Sequence, residues 1–547
     1  MGTNNDWVRR SEQAGNRPDE DEPQRSGRSA ARRDHDRVFY SAEFERLEDV
    51  TQIATLTSSS VRNRLTHSYR VEQIAQAITV RNPNAGIDVD VVATAALVHD
   101  IGHAPFGHTG EEALQRAVTC ENHRKSLRPG LLERLKNVGD DEYNEYSPDR
   151  CDPNKPCLLL DGFEGNAQSF RIITLLASNH PRSPEHGLDL TRRTLMASLK
   201  YPWLEKEHPK KINKWGVYDL DLEAFKWVLA VDGVDDVAGQ RPQHLEASVM
   251  DLADDIAYAV HDLEDAFKIG LIPAAELQKL RSTTFSKLIA YIRAESEKDE
   301  VDPIAQPDPD DEGIAPLSGS PVLSIVAEWE KFVGLDHKAE DRDAQGALLY
   351  PHLNQLQACL NKVSGEAYSG SLQSRQALSS WRAFLISLFV NNVVIEDGRA
   401  KFDSPYIESS MEFLKQITWY FVIDDPDLTA IREGQENLVL ACFEKLFALA
   451  AQAHLAPAPL GGESKKSQWR GRVLHRLSKR LPERLNDYIT LARQQLENTS
   501  VELCTPRQAV ARAVVDYICS LTDAEVYSYS LQLDGAPSHA VPRLYRR

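Results

Sequence analysis

The stretch Leu97-Val-His-Asp-Ile-Gly-His-Ala-Pro-Phe-Gly-His108 is the part of the sequence on which the prediction of the fold rests. An apolar run with helical spacing leads into it and ends at two adjacent residues of the metal-ligand type, His99 and Asp100. Glycine and proline residues then break the helix, and His103 follows before the stretch ends at a third histidine. Imidazole and carboxylate groups are unfavourable to bury unless they are paired, and a divalent cation is the partner that this combination indicates.

Two other predicted helices carry further candidate ligands. His67 lies on the preceding helix, and Asp254 lies on a strongly periodic helix that begins at Leu245. Asp254, Tyr258 and Asp262 are spaced at i, i+4 and i+8, so an α-helix would place them on one face. A single histidine on an apolar face is usually a core residue, so the prediction depends on the combination. Two histidines and two aspartates suit Mn²⁺, Mg²⁺, Fe²⁺ or Co²⁺ better than a structural zinc ion.

The overall composition limits the classes of function. The chain has 547 residues and a net charge of −19, from 63 lysines and arginines against 82 aspartates and glutamates. This charge argues against a protein that covers nucleic acid without sequence preference. An anionic substrate would therefore need a local basic pocket or a metal. No apolar run approaches the roughly 18–20 residues that cross a bilayer, so we expect no membrane partner. The N-terminus is too polar for a signal peptide, and the seven scattered cysteines predict reduced thiols and a cytoplasmic location.

The chain divides into four predicted parts. Residues 1–33 are polar and are predicted to form a disordered tail, whereas residues 34–290 are predicted to form a helical domain with the candidate site. Residues 291–318 form an acidic, proline-rich insertion that we expect to be flexible, and residues 319–547 return to helical patterns. We find no internal repeat and no sustained strand alternation, so the predicted fold class is all-α.

The candidate ligands, taken together, resemble the signature of the HD superfamily of metal-dependent phosphohydrolases. Five longer strings, in family order within residues 34–270, resemble one branch of it, the dGTPase-like deoxynucleoside triphosphate triphosphohydrolases. These strings are Arg64-Leu-Thr-His-Ser68, His99-Asp-Ile-Gly-His-Ala-Pro-Phe-Gly-His-Thr-Gly-Glu111, Phe163-Glu-Gly-Asn-Ala-Gln168, Leu199-Lys-Tyr-Pro-Trp203 and Ala253-Asp-Asp-Ile-Ala-Tyr-Ala-Val-His-Asp-Leu-Glu-Asp265. The resemblance implies an HD-domain helical core over residues 34–290 and a helical C-terminal region that completes the substrate site and supports oligomerisation.

The resemblance also implies a reaction. Members of this branch hydrolyse a deoxynucleoside triphosphate (dNTP) at the α-phosphate and release a deoxynucleoside and intact triphosphate, and we expect dGTP among the substrates. The implied ligands of the divalent metal ion are His67, His99, Asp100 and Asp254. His108 and Glu111 would form the acid–base pair, and His103 would contact phosphate or protonate the 5′-oxygen. Which of the two imidazoles protonates and which activates water stays open.

The residues implied in substrate binding are Gln52, Arg64, Lys200, Tyr258 and Asp262. Arg64 lies one helical turn before the first metal ligand and would contact phosphate together with Lys200. Tyr258 would pack on the deoxyribose where a 2′-hydroxyl would clash, Asp262 would bind the 3′-hydroxyl, and Gln52 would also face the sugar. One departure from the family pattern is Gly165, where some bacterial branches carry a histidine. Any role for that imidazole is then absent here or belongs to His103.

The C-terminal half carries no set of residues with metal-ligand spacing. Arg375 and Arg382 are candidates for completing the phosphate site. Basic residues from Lys465 to Arg484 alternate with apolar ones, which predicts a solvated amphipathic face, with a subunit interface or a single-stranded DNA contact as alternatives. The resemblance further implies a homo-oligomer, such as a tetramer or hexamer, and a dNTP effector.

Two other functions stay open. Another HD-superfamily nucleotide phosphohydrolase, such as a monophosphatase or a cyclic nucleotide phosphodiesterase, would not need Arg64, Lys200 and the two sugar-facing residues together. A non-enzymatic nucleotide sensor would be expected to lack a metal ligand or a catalytic histidine, whereas this chain has all of them.

Overall fold

The computed structural model describes residues 6–13, 27–52, 63–121, 157–177, 186–230, 241–272, 368–418, 422, 426–455, 477–498, 505–533 and 535. Helices dominate these residues, and the strands among them form one short antiparallel hairpin. The prediction of an all-α fold is therefore confirmed. Among the described residues, no helix is long and apolar enough to cross a membrane.

The helices before residue 300 carry most of the candidate site. Their bounds are α1 Arg10–Gln13, α2 Ala30–Phe39, α3 Ala42–Glu45, α4 Arg64–Arg81, α5 Val89–Val98, α6 His108–Val118, α7 Gly165–Arg171, α8 Arg192–Ala197, α9 Leu222–Leu229, α10 Leu245–Ala257 and α11 Leu263–Lys268. Short 3₁₀ segments lie at Arg46–Asp49 and Asp219–Asp221, and π-helical turns lie at Ile172–Leu176 and Tyr258–Asp262.

The later elements are helices around one hairpin. Their bounds are α12 Leu372–Asn391, β1 Val393–Glu396, β2 Arg399–Phe402, α13 Pro405–Thr418, α14 Pro426–His454, α15 Glu483–Asn498, α16 Pro506–Cys519 and α17 Asp523–Leu533. The sequence signal for the hairpin is Asp397-Gly398, whose positive φ angles of 52° and 72° suit a two-residue turn. The hairpin is anchored on α10, because the Ala400 N–H donates to Ser248 Oγ at 2.9 Å.

Helices α4, α5 and α10 pack on one another and form the centre of the molecule. Each of α4 and α5 begins at a side-chain cap: Asn63 accepts a hydrogen bond from the Thr66 N–H, and Asp88 accepts from the first turn of α5. Every residue from Val91 to Val98 is buried. The consequence is that the apolar helix α5 ends, as the sequence predicts, inside the protein and directly before the His-Asp pair.

The C-terminal helices share their cores with the N-terminal part of the chain. One buried cluster joins Val92 of α5 and Met250 of α10 to Trp381 of α12, and a second joins Leu97 to Val510 of α16. The predicted insertion, residues 291–318, lies outside the described residues. The expected division at residue 318 therefore stays a prediction. The described residues before and after the insertion share the same two buried clusters.

The expected disorder over residues 1–33 does not hold for residues 6–13 and 27–33. The backbone of Val8 accepts a hydrogen bond from the Arg192 N–H at 3.1 Å, and Arg9 pairs with the buried Asp34 at 2.7 Å. Arg193 also lies over the Trp7 ring. Composition did not reveal this docking because it depends on a few specific contacts within a polar segment. Residues 1–5 and 14–26 of the predicted tail lie outside the described residues.

Candidate active site

Three helices bring the four predicted metal ligands together. His67 projects from α4, His99 and Asp100 follow α5, and Asp254 lies on α10. Asp254 Oδ1 is 3.0 Å from His67 Nε2 and 3.5 Å from His99 Nε2. One ligand atom from each of His67, His99 and Asp100 lies within 4.8 Å of the others. The arrangement is a compact set of nitrogen and oxygen atoms, and three of its four residues are buried.

The orientation of His99 suits a metal ion. Its Nδ1 lies 2.7 Å from the Ala96 carbonyl oxygen and donates to it, so Nε2 is the nitrogen that faces the ligand set. Nε2 is buried, has no hydrogen-bond partner among the described residues, and lies 3.3 Å from Asp100 Oδ1. Because Nε2 faces carboxylate oxygens, a positive charge is needed between them, which a proton on the ring or a bound metal ion can supply. The residues present therefore fit a divalent cation.

The carboxylates of this set are ionised. Burial alone would raise the pKa of Asp100, but the charges of His99 and Arg64 outweigh it and hold that pKa well below its usual range. Burial would likewise raise the pKa of Asp254, and Lys200 together with His99 lowers it well below the usual value. Two ionised carboxylates in a buried site are what a divalent cation needs as ligands.

The two predicted phosphate-binding cations lie directly against these carboxylates. Arg64 Nη1 is 3.0 Å from Asp100 Oδ2, and Lys200 Nζ is 3.1 Å from Asp254 Oδ2. Lys200 also pairs with Asp251, one turn earlier on α10, at 2.9 Å. Positive charge is thus concentrated beside the ligand set although the chain as a whole is strongly acidic.

The three predicted catalytic residues form a second group that adjoins the first. His103 Nε2 is 2.8 Å from Asp100 Oδ1, and its Nδ1 contacts Glu111. Glu111 Oε2 in turn lies 3.0 Å from His108 Nδ1. The side chain of His108 is 58% exposed and that of His103 only 13%, so His108 is the member of the pair that a ligand reaches from solvent.

The ionic contacts within this group determine the protonation states of His103 and Glu111. Burial and the nearby Arg64 would lower the pKa of His103, but Glu111 and Asp100 outweigh them and raise it to about 9. Burial would raise the pKa of Glu111, and the two histidines hold it well below the usual range. His103 is therefore an imidazolium between two carboxylates at neutral pH.

The backbone next to His108 and Glu111 has conformations and close contacts that fix the positions of these two side chains. Phe106 has a φ of 64° and Gly107 a φ of 58°, and α6 begins at the next residue, His108. A Cβ on Gly107 would lie 2.6 Å from Arg64 Nη2. A Cβ on Gly165 would lie 2.4 Å from Glu111 Oε1, so a side chain at this position would displace that carboxylate.

The predicted sugar-facing residues lie on less regular backbone than expected. A π-helical turn over Tyr258–Asp262 follows α10, so the step from Tyr258 to Asp262 differs from the α-helical spacing, whereas the Tyr258 N–H still bonds the Asp254 carbonyl. The side chain of Asp262 is buried and that of Tyr258 is half-buried. Gln52 Oε1 is buried and has no hydrogen-bond partner among the described residues. The sugar-binding roles of these residues stay predictions.

The two C-terminal arginines named as candidates for the phosphate site keep that role as a prediction. Arg382 pairs with Glu264 at 2.8 Å, and Arg375 is exposed on α12. Lys415 of α13, which sequence reasoning missed, lies 2.8 Å from Asp255, the neighbour of a predicted ligand. No local pattern marks Lys415, because its proximity depends on how α13 packs against the end of α10. Of the predicted basic cluster, only residues 477–484 are described.

Comparison with known proteins agrees with these features. The HD domain family matches residues 64–136. A deoxyguanosinetriphosphate triphosphohydrolase-like protein of Corynebacterium glutamicum strain ATCC 13032 is 30% identical over 448 residues, which cover 79% of this chain and 82% of that protein. A protein of the same description from Streptomyces coelicolor is 36% identical over 257 residues, covering 45% of this chain and 49% of its own. A deoxyguanosinetriphosphate triphosphohydrolase-like protein 2 of Vibrio cholerae is 38% identical over 257 residues, covering 46% and 51%. This chain therefore belongs to the deoxyguanosinetriphosphate triphosphohydrolase-like family, and it is a phosphohydrolase of the HD superfamily.

Proposed function

We propose that this protein hydrolyses dNTPs, dGTP among them, at the α-phosphate and releases a deoxynucleoside and inorganic triphosphate. The observation that carries the proposal is the position of Asp100. Its Oδ1 lies 3.3 Å from His99 Nε2 of the ligand set and 2.8 Å from His103 Nε2 of the catalytic group. A cation site and a proton-transfer group that share one carboxylate are suited to hydrolysis of a phosphate ester.

The ligand set would hold a divalent cation, with Mn²⁺, Mg²⁺, Fe²⁺ or Co²⁺ as candidates. When bound, such an ion stabilises negative charge on a phosphoryl oxygen and lowers the pKa of a bound water. The ligand set proposed for it consists of His67, His99, Asp100 and Asp254.

Arg64 and Lys200 would hold the triphosphate. Both cations now pair with ligand carboxylates, at 3.0 and 3.1 Å, and a phosphate group offers them a second set of anionic oxygens at the same place. The positive charges that the triphosphate needs therefore already lie beside the ligand set.

His108 would exchange a proton with the reacting groups. It is exposed, and Glu111 fixes its ring through Nδ1, which leaves Nε2 directed away from that carboxylate. His103 would carry a proton before the reaction and contribute positive charge next to the phosphates. Kinetic measurements, rather than these contacts, are needed to assign the imidazole that protonates the 5′-oxygen.

The proposal extends to the sugar and to assembly. Gln52, Tyr258 and Asp262 would contact the deoxyribose, and discrimination against ribose would come from Tyr258. A homo-oligomer, a dNTP effector and a single-stranded DNA contact remain predictions from the family resemblance, to be tested by light scattering, by dNTP-dependent kinetics and by DNA binding.

The direct test is to incubate the full chain with each dNTP and Mn²⁺ or Mg²⁺ and to identify the phosphorus product by ³¹P NMR. Triphosphate together with free deoxynucleoside is the expected result. Pyrophosphate or orthophosphate would contradict the proposal and favour another HD phosphohydrolase activity. The corresponding ribonucleotides are the matched controls, and equal turnover of both would reject the role given to Tyr258.

A further inference from the structure

Asp523 connects the C-terminal region to two loops of the candidate site. It is the first residue of α17, far from both loops in sequence. Its Oδ2 accepts hydrogen bonds from the N–H of Thr51, at 2.9 Å, and from the hydroxyl of the same residue. Its Oδ1 accepts from the Phe106 N–H at 2.7 Å. One carboxylate thus uses both oxygens to fix two backbone segments.

Both segments lead directly into residues of the proposed reaction. Thr51 precedes Gln52, which is proposed to face the sugar, and Phe106 lies two residues before His108. The two segments also meet each other, because a Cβ on Gly107 would lie 3.5 Å from the Thr51 carbonyl oxygen. Asp523 therefore acts where the two loops converge.

The backbone at Phe106 needs external support. Its φ of 64° lies in the left-handed region, which a phenylalanine adopts only when neighbouring contacts hold it there. The hydrogen bond to Asp523 is formed by the amide of this same residue. The residue with the strained backbone is therefore the same residue whose amide bonds to the C-terminal region.

A second contact supports the same junction. Arg46 Nη1 donates to the Leu521 carbonyl at 2.7 Å, and Arg46 Nη2 donates to the carbonyls of Ile101 and His103 at 3.2 and 2.7 Å. The corner formed by residues 521–523 is therefore tied to both ends of the loop that carries His103.

We propose that Asp523 is a positioning residue, which holds Gln52 and His108 in the geometry required for the hydrolysis proposed above. The inference rests on that proposed function. The carboxylate does not touch the reacting atoms; it acts through the main chain of Thr51 and Phe106. A displacement of the His108 turn by about 1 Å is enough to slow turnover strongly.

The test compares Asp523→Asn with wild type. Asparagine has nearly the same shape, but one acceptor oxygen becomes an NH₂ donor, so the side chain can accept from only one of Thr51 and Phe106. We expect kcat for the preferred dNTP to fall by a factor of about 10 to 100. We also expect the preference for dNTP over rNTP to decrease, while the content of bound metal stays that of wild type.

Glu525→Gln is the matched control. Glu525 lies on the same helix and accepts a hydrogen bond from the Thr522 N–H at 2.7 Å, so its substitution weakens the start of α17 without removing a bond to either site loop. Both variants are assayed well below their melting temperatures. If Asp523→Asn keeps the kcat and sugar preference of wild type, or if Glu525→Gln loses as much kcat, the positioning role is wrong.

Hydrogen–deuterium exchange separates this inference from the proposed function. In Asp523→Asn, at least one of the peptides that contain Thr51 or Phe106 should exchange faster than in wild type and in Glu525→Gln. Unchanged exchange in those peptides overturns the inference even if the enzyme is a triphosphohydrolase. If wild type releases no triphosphate, the proposed function fails, and faster exchange still supports the ordering of the two loops by Asp523.

Discussion

His108 is the exposed end of a chain of ionic contacts that runs from Asp100 through His103 and Glu111. Its removal should leave the ligand set intact, because none of the predicted ligands bonds to it. We predict that His108→Ala lowers turnover by a factor of about 10²–10⁴, the usual loss for an acid–base group. Steady-state kinetics and metal analysis on the same sample check this prediction. His454→Ala, at a half-buried histidine bonded to Asn486, is the control and should keep wild-type kinetics.

Gly165 gives a second test at the residue scale. A Cβ there would lie 2.4 Å from Glu111 Oε1, and this oxygen cannot move easily because His103 and His108 hold the carboxylate. We predict that Gly165→Ala reduces turnover at least about 10-fold, since about 1 Å of displacement has effects of that order.

Gly434→Ala is the matched control for this change. Gly434 lies inside α14, and a Cβ there meets no atom within 4 Å. The substitution should stabilise the protein by about 0.4–1 kcal/mol and leave turnover unchanged, which thermal unfolding and kinetics can measure. If the two variants had equal turnover, the close approach of Gly165 to Glu111 would have no effect on catalysis.

At the residue scale, the sequence indicated the candidate metal ligands but not which other side chains contact them. Spacing and resemblance selected His67, His99, Asp100 and Asp254, and the structure does bring these side chains together. The pairing of Arg64 with Asp100 could not be predicted in the same way, because it depends on the relative rotation of two packed helices.

Helix α10 begins at a buried ionic contact that makes the stability of the protein depend on pH. Glu246 pairs with His244 at 2.8 Å and with Arg193 of α8. Burial would raise the pKa of Glu246, but His244 and Arg193 outweigh it and lower the pKa from 4.5 to about 2. A carboxylate with a lowered pKa stabilises the folded state above its unfolded pKa and loses this contribution as pH falls through the folded value.

We therefore predict that Glu246→Gln lowers the free energy of unfolding at pH 7, and that its difference from wild type shrinks between pH 4.5 and about 2. Denaturant unfolding across this range measures the effect. Glu223→Gln is the control, because Glu223 and its partner Lys226 are both more than half exposed. A difference that grows as the pH falls would have the wrong sign.

Two irregular elements limited what could be predicted at this scale. The π-helical turn over Tyr258–Asp262 changes the period of a helix whose sequence looks regularly α-helical. The hairpin over residues 393–402 is too short to show strand alternation, although Asp397-Gly398 is a turn signal that could have found it. Existence and type of the long helices were predictable, whereas local changes of period depend on tertiary packing.

For the whole molecule, buried charges join the C-terminal helices to the rest of the fold. Arg171 of α7 is fully buried and bonds both Asp516 of α16, at 2.9 Å, and Asp221, at 2.8 Å. Arg512, from the same C-terminal helix, pairs with Asp161 at 2.7 Å and lies over the Tyr218 ring. The sequence could not show that residues so distant along the chain pair inside one core.

This network predicts one cooperative unit. Asp516→Ala leaves a buried arginine with one fewer counter-charge, and we expect a loss of about 3–5 kcal/mol in the free energy of unfolding. Calorimetry should show a single transition that shifts as a whole, both in wild type and in the variant. Two transitions, only one of which moves, would instead indicate that the C-terminal region unfolds independently.

The metal content of purified variants tests the central claim most directly, namely that three helices hold one cation. The ligand set predicts that wild type retains one divalent ion per chain, measured by plasma mass spectrometry, and that Asp254→Ala loses both the ion and turnover. His108→Ala, which changes an imidazole outside the set, should lose turnover but keep the ion. An Asp254→Ala protein that is folded and still carries its metal at wild-type stoichiometry would contradict the account.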